Sequence, residues 1–301
     1  MRQEIQLIDP EQLKKILEQS SEVVLLDTRE DLEFSQGHIP GAISKQWFEW
    51  CAKAPSTAKS TLFEPGYWGN LDIESIENIE RGLGDIGITN DGTVVVYSGG
   101  ISSKGREGRV AWMLLYFGIE RVFILDGGFN AWLTAKGDVC QKVVDASAIK
   151  AKNKKFKVEL QPHRRVELAD VKKMLDDDGG KHPILVDTRS PLEFEGRLYE
   201  YQPRMGHMPR SVNIWFDRFF ACDGKFIGKK EFLNLLESEN ILANVKASYC
   251  EVGVRAATFS LLFELATGRV LPVYDGSLME WSHHSDLTVI SSCQSDCDTN
   301  K

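Results

Sequence analysis

Cys250 and Arg255 lie close together in the stretch SYCEVGVRAA, and a thiol beside a guanidinium can carry out nucleophilic chemistry on an anionic substrate. A short apolar run ends at Tyr249, and an amphipathic stretch begins at Arg255. This pattern predicts a short turn between a strand and a helix, with Cys250 at the carboxyl end of the strand. Cys250 is therefore the candidate nucleophile.

The predicted turn has the features of an anion-binding loop. Gly253 allows a backbone conformation that a β-carbon disfavours. Backbone N–H groups can point into such a loop, next to the positive N-terminal end of the helix. The residues that supply them are Glu251, Val252, Gly253 and Val254. These surroundings favour a thiolate, and the loop N–H groups together with Arg255 could stabilise a negative persulfide on the same sulfur. An isolated cysteine is more often a small buried residue, but here a strand end, a glycine, an arginine and a helix start coincide.

Composition restricts the classes of partner. The chain has 301 residues and a net charge of −8, with 42% hydrophobic and 27% charged residues. These values predict a globular protein that binds neither nucleic acid nor an anionic membrane, because both need a positive surface. We expect no signal peptide and no membrane span. Six cysteines without a dense framework favour reduced thiols in the cytoplasm, and no Cys/His cluster has zinc spacing, so no metal site is expected.

The sequence is an internal duplication. The first half contains VVLLDTREDLEFSQGHIPGAI, and the second contains PILVDTRSPLEFEGRLYEYQPRMGHMPRSVNI. In the same order, TVVVYSGG matches VKASYCEV, and VFILDGGFNAW matches LPVYDGSLMEW. Short apolar strands alternate with helical stretches in both halves, which predicts two α/β domains with mainly parallel sheets covered on both faces. We expect domains at 1–145 and 163–290, a polar linker at 146–162 and a flexible tail at 291–301.

These motifs resemble those of the tandem rhodanese-type sulfurtransferases, the thiosulfate and 3-mercaptopyruvate sulfurtransferase family. The resemblance covers nearly the whole chain, from DTR and GHIPGA in the first half to DTR, GHMPRSVNI and YCEVGVRAA in the second. It implies two rhodanese-like domains, each a mainly parallel sheet with helices on both faces, of which only the second is catalytic. It also implies that Cys250 carries sulfur as a persulfide from a small anionic donor to an acceptor such as cyanide, a dithiol or a thioredoxin-like protein, without a cofactor.

The resemblance also suggests where the donor binds. An arginine in the insertion of the second half, Arg204, is expected to hold the anionic group of the donor, because a guanidinium pairs with a carboxylate or sulfonate. Arg210 is a second candidate for this role. Asp187 follows a strand directly, as Asp27 does in the first half. We expect a structural ion pair or turn at both aspartates, with Asp187 also able to orient the site.

Two alternatives to a sulfurtransferase stay open at this stage. Related phosphatases use a Cys–Arg loop that is one residue longer, so the spacing of Cys250 and Arg255 favours sulfur transfer. A non-enzymatic persulfide carrier or interaction module is the other alternative, since the carboxylate of Glu251 opposes a dianion such as thiosulfate. The sequence leaves the choice between thiosulfate and 3-mercaptopyruvate open.

The remaining candidates are expected to be structural. Ser98 occupies the position of Cys250 in the first half, where a hydroxyl without an adjacent base is a poor nucleophile. His38 and His207 occupy equivalent turns in the two halves, which favours a role in the fold over proton transfer. Cys293 and Cys297 lie in the polar tail, where they could resolve a persulfide but more simply belong to a solvated segment.

Overall fold

The computed structural model describes residues 3–20, 22–55, 67–142, 154–177, 182–198 and 202–292. Cys293 and Cys297 lie outside these residues. The chain divides into two compact units. The first unit comprises Met1–Trp50, Ile73–Pro162 and Phe220–Ile227, and the second comprises Cys51–Asp72, His163–Phe219 and Gly228–Lys301.

The first half of the chain alternates strands and helices as the sequence predicts. In chain order its elements are β1 (Glu4–Ile8), α1 (Pro10–Gln19), β2 (Val24–Asp27), α2 (Asp31–Gln36), β3 (Ile43–Ser44), β4 (Cys51–Lys53), β5 (Tyr67–Leu71), α3 (Ile76–Asp85), β6 (Thr93–Tyr97), α4 (Arg106–Tyr116), β7 (Arg121–Leu125) and α5 (Gly128–Thr134). Helix α1 begins with a capping box in which Asp9 accepts from the backbone N–H of Gln12, and Pro10 stands at its first turn, where a missing N–H costs nothing.

The second half repeats this order, except that its described residues contain no counterpart of β4 and β5. Its elements are β8 (Arg165–Val166), α6 (Leu168–Asp177), β9 (Leu185–Asp187), α7 (Pro191–Phe194), β10 (Ser211–Asn213), α8 (Lys229–Ser238), β11 (Ala247–Tyr249), α9 (Val254–Thr267), β12 (Val273–Tyr274) and α10 (Ser277–His283). Helix α9 is apolar around almost its whole circumference rather than amphipathic as its sequence suggested, because it packs inside the unit.

The two main sheets have the same topology. The first has the strand order β1-β7-β6-β2-β3 and the second the order β10-β9-β11-β12-β8, and every pairing in both is parallel. Read in reverse, from β8 to β10, the second sheet has its strands in the same positions as their counterparts in the first sheet. The central strands β6 and β11 are buried apart from Thr93 at the start of β6, as expected where helices cover both sheet faces. The predicted fold class, α/β with two similar parallel domains, is confirmed.

Equivalent side chains also repeat. Arg29 pairs with Asp27 at 2.6 Å, and Arg189 pairs with Asp187 at the same distance. Each arginine also donates to a backbone carbonyl of the Gly-His turn, that of Gly37 in the first half and that of Gly206 in the second, both at 2.7 Å. The ion pair expected after each strand is therefore confirmed. It ties the end of the strand to the turn that precedes the next one.

The compact units differ in two segments from the continuous domains that the sequence predicts. The predicted domains and the observed units agree that the second begins after Pro162. However, Cys51–Asp72 belongs to the second unit and Phe220–Ile227 belongs to the first. The backbone N–H of Leu71 donates to Asp275 within the second unit at 2.9 Å. The backbone N–H of Phe226 donates to Asp126 within the first unit, also at 2.9 Å. The duplicated motifs carry no signal for such segments.

Part of the predicted linker is held by the first unit. Backbone N–H groups of Lys154, Val158 and Glu159 donate to acceptors on that unit at 2.9–3.0 Å. The bond from Val158, followed by the ion pair with Lys157, lowers the pKa of the acceptor carboxylate, Glu80. The described part of this segment is therefore anchored along the first unit by its backbone, while most of its lysines and Glu159 stay exposed, as the sequence predicts for a linker. Among the described residues, no helix has the length and apolarity needed to cross a bilayer.

Candidate active site

Cys250 lies where the sequence predicts, directly after β11 and four residues before the start of α9. Only 1% of the residue is accessible to solvent. The preceding carbonyl, that of Tyr249, accepts from the backbone N–H of Thr188 at 3.1 Å, which fixes the end of the strand. Gly253 has a φ of 79°, in the left-handed region that the loop requires of a glycine. The first N–H groups of a helix have no partner within it, so α9 directs its positive end at this loop.

The first turn of α10 holds the loop from the other side. The backbone N–H of Cys250 donates to the hydroxyl of Ser277 at 3.2 Å, and that hydroxyl donates to the carbonyl of Tyr274 at 2.8 Å. The N–H of Leu278 donates to the carbonyl of Cys250 at 3.2 Å, and the N–H of Met279 donates to that of Glu251 at 2.9 Å. Three consecutive residues of α10 therefore fix the backbone that carries the thiol.

Ser277 is a site residue that the sequence analysis missed. Its φ of 53° lies in the left-handed region, which a non-glycine residue rarely adopts. The equivalent residue of the first half is Gly128, in the matching motif DGGFNAW. The sequence could have pointed to Ser277, because the two copies of this turn differ by a glycine in the first half and a serine in the second. The half that carries the cysteine also carries a hydroxyl at a position where the other half has a glycine.

Arg255 makes a buried ion pair with Glu193 of α7. Its two terminal nitrogens donate to the two carboxylate oxygens at 2.9 and 2.8 Å. Burial raises the pKa of Glu193, but the hydrogen bonds and charge of Arg255, with the charge of Arg189, outweigh it and lower the pKa to about 2. Burial lowers the pKa of Arg255, and the bonds and charge of Glu193, with the charges of Cys250 and Glu251, raise it above its ordinary value. Arg255 thus anchors the start of α9.

Glu251 is buried within the loop and faces the same cation. Its carboxylate lies 3.7 Å from Arg255, which is farther than the paired oxygens of Glu193. One arginine therefore balances two carboxylates beside the thiol. Val252 and Val254 are also buried, so these loop side chains pack into the unit.

The β4–β5 hairpin supports the loop from a third direction. An added β-carbon at Gly69 of β5 would lie 2.3 Å from the carbonyl oxygen of Val252 and 2.6 Å from that of Asp275. Only a glycine permits this approach, and Gly69 also has a positive φ of 88°. The hairpin backbone thus packs directly against the loop of Cys250, a contact that the linear order of motifs does not reveal.

Arg204 lies at the C-terminal end of α10. Its guanidinium donates to the backbone carbonyls of Ser282, Leu287 and His284 at 2.7–2.8 Å and to that of Trp281 at 3.2 Å. These bonds use four of its five N–H groups, which is how a cation caps a helix C-terminus. Desolvation by burial lowers the pKa of Arg204. This geometry favours a structural role over the predicted binding of the donor.

Arg210 lies at the wrong end of the sheet for the predicted anion-binding role. It directly precedes β10, and its carbonyl accepts from the N–H of Ile184, which directly precedes β9. Cys250 follows Tyr249, whose register partner in the parallel sheet is Asp187 at the end of β9. Arg210 and Cys250 therefore flank opposite ends of parallel strands. The motif order suggested proximity, but strand direction places the guanidinium at the amino ends, where it donates to the carbonyl of His182.

Asp187 lies at the carboxyl end of β9, next to the end of β11. Its carboxylate is fully buried and accepts four hydrogen bonds from Arg189 at 2.6–3.1 Å. Arg189 also donates to the carbonyl of Glu193, at 3.4 Å. Asp187 thus supports the site through Arg189 and the residue that holds Arg255.

The corresponding place in the first half lacks this architecture. Ser98 follows β6 and is fully buried, and its hydroxyl has no hydrogen-bond partner among the described residues. Helix α4 begins eight positions after Ser98, whereas α9 begins four positions after Cys250. A short 3₁₀ turn, Gly100–Ser103, occupies the longer connection. The expected degenerate loop therefore differs from the Cys250 loop in length and backbone path as well as in the residue at its start.

Comparison with known proteins agrees with this architecture. The profile of the Rhodanese-like domain matches residues 9–135 and 167–284. Thiosulfate/3-mercaptopyruvate sulfurtransferase 1 of Arabidopsis thaliana is 32% identical over 236 residues, which are 71% of this chain and 60% of that protein. The chain thus matches less than two thirds of that relative's length. Thiosulfate sulfurtransferase of Gallus gallus is 28% identical over 84% of this chain and 81% of its own length.

A solved structure has the same fold. The anaerobic ergothioneine biosynthesis enzyme from Chlorobium limicola, in complex with trimethyl histidine, superposes with a TM-score of 0.75 over 95% of this chain and 70% of that one. The two sequences are 20% identical, so this likeness concerns the fold alone. With both halves matched by one family profile, the chain belongs to the rhodanese-like sulfurtransferase family and consists of two rhodanese-like domains.

Proposed function

We propose that this chain is a sulfurtransferase that carries sulfane sulfur on Cys250 from a small anionic donor to a thiophilic acceptor. The observation that supports it is a buried thiol at the carboxyl end of β11, held by Ser277, by the Arg255–Glu193 pair and by the backbone of Gly69. Such a loop offers N–H groups and a helix N-terminus to a negative sulfur. The ordered backbone keeps these dipoles aligned before the reaction begins, which is what stabilises a developing charge.

The reaction has two steps. The thiolate of Cys250 attacks the outer sulfur of the donor, the bond to that sulfur breaks, and the remaining anion leaves with the electron pair. Sulfite leaves from thiosulfate, and the enolate of pyruvate leaves from 3-mercaptopyruvate and then takes a proton. The acceptor, such as cyanide or a thiol, attacks the terminal sulfur of the persulfide, and Cys250 returns to the thiolate. These steps need no cofactor.

The charges around the thiol favour 3-mercaptopyruvate over thiosulfate as the donor. Arg255 is shared by Glu193 and Glu251, so these three side chains carry a net negative charge before any donor arrives. A dianion meets more repulsion there than a monoanion. The same pairing disfavours phosphatase chemistry, because the guanidinium that would hold a phosphoryl group is bound by both oxygens of Glu193.

The test measures thiocyanate formed from cyanide with each donor. We expect turnover with at least one of them, a higher kcat/KM with 3-mercaptopyruvate, and the mass of one added sulfur atom on the intact protein after exposure to donor alone. The Cys250→Ser variant should lose both signals, while Cys222→Ser, at an exposed thiol, should keep them. Absence of turnover and of added sulfur with both donors would contradict the proposal. Phosphate release from an aryl phosphate that depends on Cys250 would favour the phosphatase instead.

A further inference from the structure

Cys140 and His38 form a second thiol–imidazole pair, in the first unit. The sulfur of Cys140 lies 3.3 Å from Nε2 of His38. The two backbones also exchange hydrogen bonds, from His38 N–H to the carbonyl of Cys140 at 2.9 Å and from Cys140 N–H to that of His38 at 3.0 Å. His38 is fully buried, whereas Cys140 is partly exposed. The pair therefore has a fixed base and a thiol that a small molecule can reach.

The surroundings of His38 determine which nitrogen faces the thiol as a base. Its Nδ1 lies 2.9 Å from the carbonyl oxygen of Phe34, which can only accept, so Nδ1 carries the hydrogen. In the neutral ring Nε2 is then the acceptor, and it points at the sulfur of Cys140. The ring also stacks on that of Phe34, with centroids 3.8 Å apart and planes 8° apart. Nucleophile, base and orienting carbonyl thus stand in the order typical of an activated thiol.

The competing acceptor near the sulfur is weaker. The carbonyl of Lys142 lies 3.9 Å from the sulfur of Cys140, at the long end of hydrogen bonds to sulfur. The imidazole nitrogen is closer and, unlike a carbonyl, can take up the proton completely.

The second half provides a natural comparison without the thiol. His207 stacks on Phe194 with centroids 3.7 Å apart, and its Nδ1 lies 2.8 Å from the carbonyl of Phe194. The residue bridged to His207 is Ile290, where the first half has Cys140. The same histidine turn therefore forms beside an isoleucine, so the fold does not need a thiol at this place. Cys140 is an addition to a shared scaffold.

We propose that Cys140 is a nucleophilic thiol, activated by His38, that exchanges with small disulfides. The proton of the thiol passes to Nε2 of His38, and the sulfur of Cys140 attacks one sulfur of the disulfide. The disulfide bond breaks, a mixed disulfide forms on Cys140, and the leaving thiolate takes the proton from the imidazolium. Oxidation of Cys140 is balanced by reduction of the departing thiol. This chemistry does not depend on Cys250 or on the proposed sulfur transfer.

The test compares rates at individual cysteines of the whole protein. The probe is 4,4′-dithiodipyridine at pH 7, with the reaction quenched at intervals and each cysteine-containing peptide quantified by mass spectrometry. Cys222 belongs to the same unit and is exposed, so it serves as the internal reference. We expect Cys140 to react faster than Cys222 although it is less accessible. A rate at Cys140 equal to or below that at Cys222 would overturn the proposal.

A variant then tests the base. In His38→Asn the amide nitrogen can still donate to Phe34, while the acceptor facing the sulfur is removed. We expect the rate at Cys140 to fall by about tenfold or more, because a positioned general base typically contributes a factor of about 100 to 10,000. The rate at Cys222 should not change. An unchanged rate at Cys140 in a folded variant would contradict the role of His38.

A second variant keeps the test decisive if His38→Asn does not fold. Ile290→Cys places a thiol beside His207 in the equivalent bridge, on the exposed side of the second unit. We expect this new thiol to react faster than Cys222 and to lose that advantage when combined with His207→Asn. A new thiol that reacts no faster than Cys222 would show that the bridge geometry does not activate a cysteine.

Discussion

At the scale of single residues, the main change from sequence to structure concerns Arg255. The sequence suggests a guanidinium that stabilises the persulfide, but both terminal nitrogens bind Glu193. A buried pair of this kind contributes more to order than to net stability, because the cost of desolvating two charges offsets most of their attraction. Its function here is to fix the start of α9, and with it the N–H groups of the loop.

The ion pair predicts a specific acid sensitivity. The pKa of Glu193 is lowered from its ordinary value of 4.5 to about 2. Below pH 4.5 the unfolded chain binds a proton at this residue before the folded chain does, so the stabilisation present above pH 4.5 is lost as the pH falls towards 2. We expect the free energy of unfolding to fall more steeply over this range in the wild type than in Glu193→Gln, measured by urea titration at each pH. Parallel curves would contradict this role of Glu193.

Ser277 provides a second prediction at the residue scale. Ser277→Gly removes the acceptor of the Cys250 N–H but suits the positive φ, so we expect kcat/KM for thiocyanate formation to fall about tenfold with little loss of thermal stability. Ser277→Ala removes the same hydroxyl and keeps the backbone strain, so it should be less stable than Ser277→Gly by about 1 kcal/mol. An unchanged kcat/KM in Ser277→Gly would show that the hydroxyl does not position the loop.

At the scale of elements, α10 is a short helix with two tasks. Its first turn holds the loop of Cys250, and its last turn is capped by Arg204. A helix of seven residues is not stable by itself, so its geometry depends on packing and on the groups that satisfy its ends. Loosening the C-terminal end of α10 is therefore expected to disturb its first turn, which contacts the loop of Cys250.

This dependence distinguishes the two roles considered for Arg204. If it caps α10, Arg204→Lys and Arg204→Gln should both lower the free energy of unfolding, by about 2 kcal/mol, because neither side chain supplies four donors to the carbonyls. Both should lower kcat more than they raise KM for the donor, measured by donor titration and urea denaturation. A large rise in KM with Gln, partly restored by Lys and without loss of stability, would instead support donor binding.

At the scale of the whole molecule, the sequence predicts what is repeated and local. The two copies of DTR, the Gly-His turns and the strand order could all be read from the duplication, and Cys250 with Gly253 from a single turn. Roles set by distant partners could not. The acceptors of Arg204 lie about 80 positions further along the chain, and the segment Cys51–Asp72 belongs to the second unit although it precedes most of the first. Strand direction, which a motif does not encode, places Arg210 away from the thiol.

The duplication raises the question of whether a thiol alone would make the first half catalytic. Ser98→Cys in a Cys250→Ser background puts a sulfur at the end of β6. Gly128 offers no hydroxyl to the backbone N–H of residue 98. The connection from residue 98 to α4 is also longer than that from Cys250 to α9, so the N-terminus of α4 is not directed at the new sulfur in the same way. We therefore expect no thiocyanate above background from the double variant. Ser98→Cys alone should keep wild-type turnover and melting temperature, since the exchange is nearly isosteric at a buried site without a hydrogen-bond partner among the described residues. Turnover by the double variant, with added sulfur mapped to residue 98, would mean that strand-end position is sufficient and that the supports around Cys250 are not required.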